Sequence, residues 1–119
     1  MVYLASSLSL AALELLVHLQ SDQVLLRYVS FLVELSSAHV STLPAAKLPP
    51  EWRTYPSPAS TKVLGDDWVK SSASLLLEVP SVVVPEESVY LLNPRHPAFN
   101  ELTIAAPAPF AFDKRLQKV

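Results

Sequence analysis

Between Leu8 and Leu19 the apolar residues fall at 8, 11, 12, 15, 16 and 19, the spacing of one face of a helix. Ser6 or Ser7 stands where an N-cap is needed. Leu10, Leu13 and Val17 fill the opposite side around Glu14, so the pattern predicts a buried N-terminal helix with one carboxylate among leucines. Downstream the period changes. Val29, Phe31, Val33 and Leu35 alternate with Ser30, Leu32 and Glu34, and this β-branched and aromatic run from Leu25 to Leu35 predicts a strand.

Pro44, Pro49, Pro50, Pro56 and Pro58 deny backbone donors to the stretch from Ser41 to Ser60, which therefore reads as an irregular connector anchored on the core by Trp52 and Tyr55. Thr61 to Ser71 predicts a short helix carrying Val63, Leu64, Trp68 and Val69, although Gly65 weakens it by up to about 1 kcal/mol relative to alanine. Four β-prone runs follow between proline-bearing turns: Leu75–Val79, Val82–Val84, Ser88–Leu92 and Leu102–Ala105. With the strand-like Val2-Tyr3-Leu4 ahead of the first helix, the elements sum to a single α+β domain built on a short mixed sheet.

Composition narrows the function. At 119 residues and 50% hydrophobic content the chain can bury roughly two-thirds of its unfolded surface, enough for one core without staples. It has no cysteine, which removes disulfides, thiolate nucleophiles and cysteine-based zinc sites and fits a reducing, cytoplasmic setting. A formal charge of −2 offers no basic footprint for nucleic acid or for an anionic membrane. Gly65 is the only glycine, so neither a P-loop nor a dinucleotide-fold glycine motif is present. The first fourteen residues lack a basic segment and contain Glu14, unlike a secretory signal, and charges interrupt every long apolar stretch.

Few residues suggest chemistry on their own. Glu14 is a desolvated carboxylate candidate for acid, base or charge-stabilising work, or else an edge charge paired with His18 one turn on. Ser81, in Val79-Pro80-Ser81-Val82, is either a site hydroxyl or a turn serine bonding its own backbone. Tyr3 is either a core aromatic or a site phenol. Asn93-Pro94-Arg95-His96-Pro97 reads first as a shaped turn and second as a ligand loop. His18, His39 and His96 have no metal-ligand spacing, and Asp66-Asp67 and Glu86-Glu87 read as solvated charges.

The motifs in their order resemble a known family. Val2-Tyr3-Leu4-Ala5-Ser6-Ser7 running into Leu10-Ala11-Ala12-Leu13-Glu14, Leu48-Pro49-Pro50-Glu51-Trp52, Leu64-Gly65-Asp66-Asp67-Trp68, Val79-Pro80-Ser81-Val82-Val83-Val84-Pro85, Leu91-Leu92-Asn93-Pro94-Arg95-His96-Pro97 and Pro109-Phe110-Ala111-Phe112-Asp113-Lys114-Arg115-Leu116 are similar to the RES domain over essentially the whole chain. The resemblance implies a fold like that of ADP-ribosyltransferases and a bacterial toxin that cleaves the nicotinamide–ribose bond of NAD, by water or by phosphate. NAD is then a substrate, and no cofactor or metal is implied. Glu14 and Ser81 stand at the family's catalytic glutamate and serine, and Tyr3 at its NAD-holding tyrosine. An oxocarbenium-like state suits Glu14 as the charge-stabilising group, with Ser81 bonding nicotinamide or ribose.

The resemblance also implies a partner, a helix-turn-helix antitoxin whose tail covers the active site and which makes the DNA contacts, giving a hetero-oligomer. The family's arginine lies in a Gly-Gly-Arg-Trp-Asn-like stretch ahead of the first strand, a motif that no basic residue here matches. Residues 1–119 accordingly read as an amino-terminally incomplete RES domain. The alternative is an inactive remnant that only binds an antitoxin.

Overall fold

A serine cap turns the chain from its first strand into its first helix. In the computed structural model, which describes residues 1–56 and 58–118, strand β1 (Val2–Ala5) leads into helix α1 (Leu8–Leu16). The Leu10 N–H donates to the Ser7 hydroxyl at 3.1 Å, satisfying one free donor of the first turn. The helix is shorter than its apolar pattern, because the N–H groups of His18 and Leu19 bond three residues back and tighten the chain out of the α conformation.

The expected burial of α1 is not found. Leu10 is enclosed, whereas Leu13, Leu15 and Val17 are exposed and Leu8 is 55% exposed. The reason is position. Ala11, Glu14, Leu15 and His18 line an open cleft on one side, and Ser9, Ala12, Leu13 and Leu16 line a shallow groove against Phe110–Phe112 on the other. The helix forms a wall between two concavities instead of filling a core.

Four strands form the main sheet, β1, β4 (Val40–Thr42), β5 (Leu76–Pro80) and β6 (Ser88–Leu92), in the order β1-β6-β5-β4. β1, β6 and β5 are antiparallel neighbours, and β4 joins β5 in parallel, so the sheet is mixed as expected. A parallel pair needs a crossover, which is supplied by the connector and helix α2 (Ala59–Ser71). α2 ends at Ser72, which takes the left-handed conformation (φ 51°) and turns the chain into β5.

Alternation along the strands sorts the sheet into two faces. Tyr3, Leu91 and Leu77 are in register and share one face, where Leu77 and Leu91 pack with Trp68 of α2 and with Leu43, Val69 and Val79. Leu76 and Leu92 take the other face, packing with Leu75, Leu4, Val40, Tyr90 and the Ala98–Leu102 segment. Leu75 and Leu76 are fully buried, and on the α2 side the Trp68 indole N–H donates to the buried Ser74 Oγ at 3.0 Å.

The strand expected over Leu25–Leu35 is two short ones, β2 (Tyr28–Ser30) and β3 (Val33–Glu34). They pair antiparallel with β8 (Ala108–Phe110) and β7 (Thr103–Ile104), two pieces of the same returning segment. The ladder is interrupted between them by a one-residue change of register, with the Ala105 N–H donating to Leu32 O at 2.9 Å at the break. Phe31 and Leu32, at the break, are exposed. Tyr28 and Phe110 each set an edge against Phe112, at centroid distances of 5.8 and 5.1 Å.

Val82–Val84 is not a strand. The Val83 and Val84 N–H groups both donate to the Ser81 hydroxyl, and the next residue, Pro85, has no N–H, so two of the three donors of the segment are withdrawn from any ladder. Tyr55 is no core anchor either, being 83% exposed, while Trp52 is half-buried at the rim of the cleft. Among the described residues no helix is long and apolar enough to cross a membrane.

Candidate functional site

The α2-facing side of the sheet is not completely covered by its helix. Tyr3, Ala5, Leu77, Val79, Val89 and Leu91 form the floor of a cleft of about 1140 Å³ whose walls are α1, α2, the connector around Trp52 and the segment after β5. That volume suits a ligand at the large end of the small-molecule range. The lining is mainly apolar, with Glu14, His18, Lys62 and Asp66 as its charged or titratable polar groups besides tyrosine.

Glu14 and Ser81, 67 positions apart in sequence, meet at the wall of this cleft, Glu14 lining it and Ser81 buried behind its neighbours Pro80, Val82 and Val83. The Ser81 hydroxyl donates to Glu14 Oε1 at 2.6 Å, a short bond of the charge-assisted kind. The helical spacing of α1 delivers Glu14 to this wall together with Ala11 and Leu15, and His18 follows just past the helix end. β5 delivers Ser81 from the other side, because the serine directly follows Pro80 at the strand end. Glu14 is half-buried, and its Oε2 makes no hydrogen bond among the described residues.

Ser81 itself is completely buried, and its hydrogen-bonding capacity is fully used. Besides donating to Glu14, its Oγ accepts from the Val83 N–H at 3.1 Å and the Val84 N–H at 3.0 Å. One donor and two acceptor positions are all a hydroxyl has. The Ser81 N–H donates to Glu87 O at 2.8 Å and the Glu87 N–H to Val84 O at 2.9 Å, closing the loop on itself. The serine is thus both a turn serine bonding its own backbone and the partner of a distant carboxylate.

Tyr3 lines the same cleft and is 68% exposed. The Glu14–His18 ion pair is not formed. Both side chains line the cleft, but Glu14 is bonded to Ser81. Asn93 is buried and shapes its turn, accepting from the Arg95 N–H at 3.1 Å, while His96 Nδ1 accepts from the Ala98 N–H at 3.0 Å and caps the following turn. Arg95 is exposed and is not part of the cleft lining.

Two cations were not singled out by pattern. Lys62, on α2, is the only lysine or arginine lining the cleft among the described residues. Its signal was its place one turn before Gly65 and Asp66, which also line the cleft. Arg53, in the connector, donates through Nε to Val82 O at 2.7 Å and through Nη2 to Val83 O at 3.5 Å. No local signal marks that contact, since its partners lie 29 and 30 residues away.

The chain is 44% identical over 117 residues to Toxin Res of Yersinia enterocolitica, covering 98% of this chain and 77% of that protein. It is 33% identical over 118 residues to Toxin Res of Photorhabdus laumondii, covering 98% and 76%. A Prs ADP-ribosylating toxin of a Sphingobium strain is 38% identical over 122 residues, covering 97% of this chain and 73% of that protein. With the RES domain matched over residues 1–113 as well, the chain belongs to the RES domain toxin family.

Proposed function

We propose that this protein cleaves the nicotinamide–ribose bond of NAD, with Glu14 as the catalytic carboxylate, Ser81 as its support and Tyr3 as a contact for the dinucleotide. In the step proposed, the bond between ribose C1′ and the pyridinium nitrogen breaks, and its electron pair leaves with nicotinamide, which becomes neutral. The positive charge moves to C1′ and the ring oxygen. An acceptor oxygen then forms the new C1′–O bond, and the proton it carried passes to solvent. Glu14, an anion fixed beside the cleft, favours the charged ribosyl state over the ground state.

The observation that carries this reading is the 2.6 Å Ser81–Glu14 bond at the wall of a cleft large enough for a dinucleotide. Because the hydroxyl is spent on Glu14 and on two backbone N–H groups, Ser81 acts by holding the carboxylate and not by touching nicotinamide. Tyr3 and Trp52 offer flat faces to the two ring systems, and Lys62 a cation to the pyrophosphate. Water, phosphate or a protein side chain can each serve as acceptor. The name of the Sphingobium relative makes ADP-ribosyl transfer to a protein one of these outcomes.

Family membership also supports a helix-turn-helix antitoxin as partner, which would carry the DNA contacts that a chain of charge −2 does not favour. A second reading, an inactive member that only binds its antitoxin, is favoured by one feature: Lys62 alone supplies a lysine or arginine to the cleft lining among the described residues. One experiment separates them. Purified protein is incubated with NAD, and free nicotinamide is measured. Release that falls by a factor of about 10² to 10³ in Glu14→Gln supports the proposal, on the scale of losing one transition-state electrostatic contact. Equal release by both proteins refutes the role of Glu14, and no release by the wild type favours the second reading.

A further inference from the structure

Arg53 and Ser81 never touch, yet they hold opposite ends of the same two peptide groups. The carbonyl of Val82 and the N–H of Val83 belong to one amide plane, and the carbonyl of Val83 and the N–H of Val84 to the next. Arg53 donates to both carbonyls, at 2.7 and 3.5 Å, and both N–H groups donate to Ser81 Oγ, at 3.1 and 3.0 Å. The hydroxyl in turn donates to Glu14. We propose that Arg53 is a positioning residue that locks the Val82–Val84 loop and polarises its two peptides, so that Ser81 holds Glu14 in its working place; the catalytic part of this proposal rests on the reading of Glu14 given above.

Two physical effects act in the same direction. A guanidinium on a carbonyl oxygen draws charge along the amide and makes the N–H at its other end a better donor, and linked hydrogen bonds strengthen one another. A hydroxyl that accepts two such bonds is in turn a better donor toward Glu14 Oε1. The second effect is mechanical. The turn carrying Arg53 is tied by the Trp52 N–H to Pro49 O at 3.0 Å and the Thr54 N–H to Glu51 O at 2.9 Å. It is joined to α2 by the Ser60 hydroxyl on Glu51 Oε1 at 2.8 Å. Arg53 therefore links the α2 wall of the cleft to the serine loop, and the carboxylate position depends on a residue absent from the cleft lining. A lysine cannot reproduce the fork that reaches two carbonyls.

The test compares wild type, Arg53→Ala and Arg53→Lys in the full chain. Amide hydrogen exchange at Val83 and Val84 is followed residue by residue by NMR, and kcat and KM for nicotinamide release from NAD are measured alongside. Arg53 is exposed, so Arg53→Ala is expected to fold with the core amides of β5 and β6 protected as in wild type. The Val83 and Val84 amides should exchange about tenfold faster, the factor for a loss of one hydrogen bond's net contribution. Turnover should drop by about tenfold to a hundredfold with little change in KM, as for misplacement of a group that acts in the transition state. Arg53→Lys should recover part of both effects. Unchanged exchange at Val83 and Val84 in Arg53→Ala overturns the proposal, as does faster exchange with unchanged kcat. If wild type releases no nicotinamide, the functional reading and the catalytic part of this proposal fall together, while the exchange data still decide whether Arg53 holds the loop.

Discussion

Replacing Ser81 by alanine tests the centre of the site through stability alone, without reference to any substrate. The side chain is fully buried and makes three hydrogen bonds: a 2.6 Å donation to Glu14, and acceptances from Val83 and Val84 at 3.1 and 3.0 Å. A bond to a charged partner contributes about 1.5–3 kcal/mol and each neutral bond about 1 kcal/mol. Glu14, Val83 and Val84 are half-buried, so water recovers part of what is lost. The expected cost is about 2–4 kcal/mol, a large share of a typical domain stability of about 5–15 kcal/mol. Urea unfolding of wild type, Ser81→Ala, Glu14→Gln and the double variant gives the cost and its partition. In the Glu14→Gln background the serine loses its charged acceptor, so Ser81→Ala should cost about 1 kcal/mol less there than in wild type. A Ser81→Ala variant within about 0.5 kcal/mol of wild type, or costs that add with no coupling, would refute the Ser81–Glu14 hydrogen-bonded unit.

Two further outcomes follow from the fold. Gly65→Ala should stabilise the protein by about 0.5–1 kcal/mol, because Gly65 is inside α2 and a Cβ there meets only Met1 Cε at an ordinary 3.5 Å; a lower urea midpoint would show that the added carbon strains the β1–α2 approach. Tyr90 is held above the ordinary tyrosine value, first by burial and then by the adjacent Glu78 carboxylate, to which its hydroxyl donates at 3.4 Å. The folded protein thus keeps this proton longer than the unfolded chain. The contribution is complete below a pH of about 10 and is lost as pH rises through the raised folded value. Stability should therefore decline on the alkaline side in wild type and decline less in Tyr90→Phe, and parallel pH profiles of the two would contradict the assignment.

The sheet was legible because β-prone composition between proline-bearing turns speaks locally. Leu75–Val79 and Ser88–Leu92 were read as strands and are β5 and β6 nearly to their limits, while their pairing with each other and with β1 appears only in the structure. Thr61–Ser71 was read as a helix nearly to its true limits because its apolar residues keep helical spacing through Gly65. The failures share one cause. Leu25–Leu35 and Val82–Val84 have strand-forming composition, but a one-residue register change breaks the first ladder and the Ser81 hydroxyl takes two of the three N–H groups of the second segment. Composition reports what a backbone can do, not which partner takes its hydrogen bonds. The same reasoning explains α1, whose apolar surround was real but is left half exposed by the concavities beside it.

By itself the sequence determined the α+β class, a serine cap at Ser6 or Ser7, a short mixed sheet and the motif order that led to the RES resemblance. It also named Glu14, Ser81 and Tyr3 one by one. That Glu14 and Ser81 form one hydrogen-bonded unit 67 residues apart, at a cleft floored by Tyr3, Leu77 and Leu91, was decided only by the tertiary structure. So was the reach of Arg53 to the back of the peptides that support the serine. Periodicity along a chain fixes which face a residue takes within its own element. Distances between elements are set by how those faces pack, and hydrogen bonds, which act over about 3 Å, exist only after that packing is complete.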